Sequence, residues 1–201
     1  MNKRTCSQLN TKTLTLIIVF VALSAALNIA GPRIPAPYAP FLFYQLWEIP
    51  IVLAFIAISP KVGVAVTVIN TLILFAVFNP GANAGPLYNL IAILSMFSGI
   101  YIPYKLAVRG CKTENFSNYL KQHIKIISIS ATALGITMRV VVTTGVNYFS
   151  IQQPYPIGFS FTQPAALAFL PLSALFNATV TLYTIPIAIA VAIPITSRFK
   201  L

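Results

Sequence analysis

Apolar residues run along this chain in unbroken stretches rather than in alternation, and polar or turn-forming residues gather between them. Six stretches can be followed: Leu14 to Ala30, Trp47 to Ser59, Val62 to Phe78, Pro86 to Val108, Ile124 to Phe149 and Ala165 to Ile195. Most approach or exceed the roughly 20 residues with which a helix crosses a ~30 Å hydrocarbon core. A segment such as Leu14-Thr15-Leu16-Ile17-Ile18-Val19 lacks the period of two that barrel strands require, so helices are predicted. The second stretch is short. The sixth, spaced by Pro171, Pro186 and Pro194, reaches about 45 Å at helical rise and is expected to tilt, kink or protrude. The pattern predicts an all-α membrane protein of six transmembrane helices, with residues 1–201 as a single integral membrane domain.

Composition agrees with this pattern. The chain is 58% hydrophobic and 7% charged, whereas about a quarter of a soluble domain is charged, so there is too little polar surface to cover a globule. The charges also orient it. Lys3, Arg4, Lys12, Lys61, Lys105, Arg109, Lys112, Lys121, Lys125, Arg198 and Lys200 all fall on one side of a six-span arrangement, and only Arg33 falls on the other. By the positive-inside rule both termini are expected in the cytoplasm, in a multi-pass protein of the cell membrane. The net charge of +11 is thus an orientation signal. Its residues are spread over separate short loops without interleaved aromatics, and nucleic acid is not an expected partner.

The first apolar stretch outlasts the core of a signal peptide, so a retained helix is expected. Cys6 and Cys111 lie on the predicted cytoplasmic side, where thiols stay reduced and no disulfide is expected. His123 is the single histidine, which leaves no zinc set; it reads as a helix-start residue at the membrane surface. The chain has no phosphate-binding Gly-rich loop, no His-Glu-x-x-His, no Gly-x-Ser-x-Gly and too few carboxylates for paired acid–base work, so it is not expected to be an enzyme.

The remaining chemistry is neutral and lies at one face. The outward loops 31–45, 79–89 and 147–158 combine turn formers with Tyr, Asn and Gln. Proline pre-orders such loops and aromatic rings offer flat apolar area, a combination suited to a small planar molecule. Asn83, Asn89, Asn147 and Tyr148 are candidate ligand contacts in these loops. Two charges stand apart, Glu48 at the head of the second stretch and Arg139 within the fifth; a charge in such a place needs a partner. They can pair if membrane-embedded structure begins near Phe41, but a helix starting at Trp47 leaves Glu48 at the rim, beyond the reach of Arg139. Ala22, Ala26 and Ala30 recur every four residues and give the first helix a small-residue face, suited either to internal packing or to an interface.

These features together resemble the substrate-binding S component of energy-coupling factor (ECF) transporters. The resemblance rests on the alanine-faced first helix, Glu48-Ile49-Pro50, Ser59-Pro60-Lys61-Val62-Gly63 and Gly85-Pro86-Leu87-Tyr88-Asn89. Arg139 followed by Asn147-Tyr148, Pro154-Tyr155, Leu170-Pro171 and Phe176-Asn177 is similar to the riboflavin-specific branch. The resemblance implies a membrane-embedded vitamin-binding subunit, with no resident cofactor and with riboflavin or a similar small planar vitamin as transported ligand. Its implied partners are a transmembrane T component and two ATP-binding-cassette ATPases, in the lipid bilayer. Tyr44, Glu48, Asn147 and Asn177 are implied around the ligand, and Ala22 and Ala26 on the docking face. One position departs from the riboflavin branch, which carries a lysine where this chain has Val180. A self-sufficient secondary carrier for a small organic solute is the alternative.

Overall fold

The computed structural model describes residues 11–78, 84–110 and 116–199. Asn83, together with Asn79, Cys6 and Cys111, lies outside them. Six helices form: α1 (Thr11–Ala30), α2 (Glu48–Ala57), α3 (Pro60–Phe78), α4 (Gly85–Gly110), α5 (Phe116–Ser150) and α6 (Gln163–Phe199). All but α2 are long and apolar enough to cross a membrane. Their outer surfaces carry large exposed apolar side chains such as Leu72, Leu106, Ile129 and Val141, a surface that suits lipid rather than water.

The second stretch yields the shortest of the six helices. Ten residues reach only about 15 Å. Nine of the ten are buried, from Glu48 through Ala57 with Ile49 the exception, so α2 is an interior helix packed by α1, α3 and α6. Apolar all round, it behaves as a buried core element. Its end is sharply defined: Ser59 Oγ accepts from the Val62 N–H at 3.3 Å as an N-cap, and Pro60 opens α3 where its missing N–H costs nothing. Gly63 lets α3 pass close to α2; a Cβ there would lie 2.5 Å from Phe55 Cβ.

The loop between α1 and α2 folds into an antiparallel hairpin, β1 (Ile34–Ala36) and β2 (Ala39–Tyr44), with Ile34 opposite Tyr44 and Pro35 opposite Phe43. The proline-rich run concealed this hairpin in the sequence, because Pro35 and Pro40 cannot donate to a ladder and the register breaks between Pro35 and Ala36. A two-stranded hairpin is marginal alone, and this one is pinned to α6 by side chains. Phe41 stacks on Phe169 at 5.9 Å between centroids and Tyr44 on Phe176 at 5.2 Å, and Tyr44 Oη lies 2.9 Å from Thr179 Oγ1.

Helices α4, α5 and α6 follow one another side by side. Glycine brings two of them together: a Cβ on Gly99 would lie 2.3 Å from the Leu134 carbonyl oxygen. The core around α2 is filled by Ile51, Ile93, Met96, Ile100, Ile185 and Ile189, with Phe55 stacked on Phe97 at 4.3 Å. His123 proves to sit at a break inside α5, where φ −110° and ψ 15° leave the helical region, rather than at its start.

Candidate ligand-binding site

A regular spacing along α5 builds the floor of the site. Arg139, Thr143 and Asn147 are four residues apart and share one face, and Ser173 and Asn177 do the same on α6. The first residue of α2 meets them. Arg139 Nη1 lies 2.5 Å from Glu48 Oε2 and Nη2 lies 2.8 Å from Oε1, a two-point pair with Arg139 3% and Glu48 4% exposed. The sequence posed this pair as conditional on where α2 begins. The helix does begin at Glu48, yet Glu48 is buried and paired with Arg139 rather than at a rim, beside a cavity that Leu42 and Phe43 of the hairpin also line.

The chain of contacts continues from the guanidinium. Arg139 Nε donates to Asn177 Oδ1 at 2.8 Å, and Asn177 Nδ2 donates to the Ser173 carbonyl at 2.9 Å. Asn147 Nδ2 then donates to Ser173 Oγ at 2.6 Å. Buried charges are tolerable only when paired and hydrogen-bonded, and both conditions hold here. The pair cancels its own charge, so the site is electrically neutral. Among the described residues, the Asn89 amide and Asn147 Oδ1 have no hydrogen-bond partner and remain available to a ligand.

Above this floor is a cavity of about 230 Å³. Its walls are apolar, with Ala92 of α4 and Phe169, Phe176 and Val180 of α6 among them. Leu42 and Phe43 of the hairpin and Ile151 and Phe159 of the α5–α6 loop also line it. That loop is held in place by its own backbone: the Phe159 and Phe161 N–H groups both donate to the Ile151 carbonyl at 3.1 Å. It is also tied to the start of α4, since the Ala84 N–H donates to the Pro156 carbonyl at 2.9 Å and the Tyr88 hydroxyl to that of Ile157. Trp47, the single tryptophan, is buried in the cavity wall.

Glu48, Asn89, Arg139, Asn147 and Asn177 therefore come together at one cavity. Tyr44 does not line it; its ring and hydroxyl buttress the hairpin against α6 from behind. Tyr148 is directed elsewhere and accepts from Gln163 Nε2 at 3.2 Å, because it is one residue, about 100° of helix, away from Asn147. Ala22, Ala26 and Ala30 are exposed on α1, whose buried side is Ile17, Phe20, Val21, Ser24, Ala25 and Asn28; of the two uses the sequence left open, internal packing is not the one observed. Thr143 and Ser173 were missed in the sequence, although the four-residue spacing of polar groups in apolar helices was there to find them. Phe159 and Phe169 carried no such signal.

The structure is similar to a solved one described as the S component of a bacterial ECF transporter, with a TM-score of 0.65 and 20% sequence identity over 94% of this chain and 95% of the other. No protein-family model matches the sequence, and no curated protein does. At that identity the likeness shows the fold: this chain is a helical membrane protein with the architecture of that S component.

Proposed function

We propose that this chain is the membrane-embedded substrate-binding subunit of an ECF-type uptake transporter, and that the cavity above Arg139 takes riboflavin or a similar small planar vitamin. The observation that carries this reading is the neutral hydrogen-bonded floor, Glu48–Arg139–Asn177–Ser173–Asn147, under a roof of hairpin and loop. Such a site binds an uncharged molecule with a flat apolar body and a few polar groups. At about 230 Å³ the cavity is below the usual ~300 to 1,000 Å³ of ligand pockets, so a ring system of vitamin size enters with the hairpin displaced outward. Val180 gives the wall an apolar contact where the riboflavin branch carries lysine. A T component and two ATPases supply the energy, and the exposed Ala22–Ala26–Ala30 face is where a partner helix approaches closely.

The test is a titration of the purified protein with riboflavin, following flavin fluorescence and Trp47 emission together. Saturable quenching of both is expected. Absence of both with riboflavin, and their appearance with another planar vitamin, would move the ligand and keep the class. In cells, Ala22→Trp with Ala26→Trp is expected to abolish uptake while leaving the titration unchanged; unchanged uptake would remove the docking role.

A further inference from the structure

A second concavity opens on the outside of the protein. It has a volume of about 360 Å³ and is walled by Pro32, Ile34, Leu46, Ile187 and the rings of Tyr44 and Tyr183. The hydroxyls in its wall are engaged with neighbouring wall residues: Tyr44 Oη with Thr179 Oγ1, and Tyr183 Oη donating to the Gln45 carbonyl at 2.6 Å. The surface left is hydrocarbon in character, with Ile34 64%, Leu46 43% and Ile187 41% exposed.

We propose that this groove seats one acyl chain of an anionic phospholipid, with the lipid phosphate on Arg33. From Thr179 to Ile187 the α6 wall runs about 12 Å along the helix, most of the ~15 Å depth of one leaflet's hydrocarbon. A single extended acyl chain is thin enough to lie along this wall. The charge is placed to match. Arg33 lies between the wall residues Pro32 and Ile34, and its Nη2 is held by the Asn28 and Ile29 carbonyls at 3.3 and 3.5 Å, leaving its other N–H groups for a phosphate. The other exposed basic side chains among the described residues, Lys61, Lys105, Arg109, Lys121 and Lys125, are at the opposite end of the bundle. Gln45 and Tyr183 line both groove and cavity, so a seated chain braces the wall between them.

Trp47 follows the Leu46 wall residue and is only 5% exposed, which shields it from bulk lipid. In phosphatidylcholine vesicles holding a minor share of brominated phosphatidylglycerol, Trp47 emission is expected to be quenched. The same share of brominated phosphatidylcholine is expected to leave it unquenched. Arg33→Gln, at an exposed position, should weaken phosphatidylglycerol retention in native mass spectrometry by about tenfold. Equal quenching by the two lipids, no quenching by either, undiminished retention by Arg33→Gln, or a dimer in place of a lipid adduct would each overturn the proposal.

Discussion

The two ends of the α4–α5–α6 group are built on opposite rules. Toward the basic end, glycine removes the side chain at the crossings: Gly99 faces the Leu134 backbone and Gly135 faces Ile185, and the space left among Ile56, Ile100, Tyr104, Ile127 and Ile189 is about 10 Å³. One turn beyond Gly135, Arg139 enters on the same helix, and the helices there are linked by polar side chains bordering a cavity of about 230 Å³. The difference teaches that this protein opens a site by exchanging backbone contact for side-chain bridging. The bridges are polar side chains hydrogen-bonded to one another, as burial requires.

The sharpest way to break the comparison is to remove the bridge at its most buried point. Arg139→Met leaves the Glu48 carboxylate without its partner and is expected to cost about 3 to 5 kcal/mol, read from unfolding in detergent. Glu48→Leu combined with Arg139→Met should recover most of that stability while ligand binding stays lost. A double variant that binds normally would show the pair to be structural only. At the closed end, Gly99→Val puts a branched side chain against the Leu134 carbonyl. The expected loss is about 1 to 3 kcal/mol with ligand affinity intact, because the contact is away from the cavity. Loss of affinity at full stability would mean that the two ends are not separable. The smallest effect on stability should come from Asn147→Ala, which removes one hydrogen bond to Ser173, about 1 kcal/mol. Its ligand affinity is expected to fall about tenfold in the Trp47 titration.

How much of this was legible in the sequence follows the same division. Long apolar stretches declare themselves by length: all six were read as spans, and five of them form helices long and apolar enough to cross on their own. The stretch from Trp47 to Ser59, 13 mostly apolar residues, forms the short α2, whose side chains are buried inside the bundle. Glu48 and Arg139 were recognisable as partners because each was too costly to leave alone. The hairpin was hidden by prolines that suppress the alternation marking a strand, and its Leu42 and Phe43 form part of the cavity wall. Tyr148 was read together with Asn147 because loop composition ignores helical phase; neighbours on a helix point in different directions.

The attachment of the hairpin has a kinetic meaning. Among the described residues it shares no backbone–backbone hydrogen bond with a helix; stacked rings and the Tyr38–Tyr44–Thr179 hydroxyl cluster hold it to α6. A roof held in this way can lift as a unit without unwinding anything beneath it. Under the proposed function, residence time would follow how long the hydroxyl cluster stays closed and arrival how often it opens, which would make Tyr44 a residue of rates although it does not line the cavity.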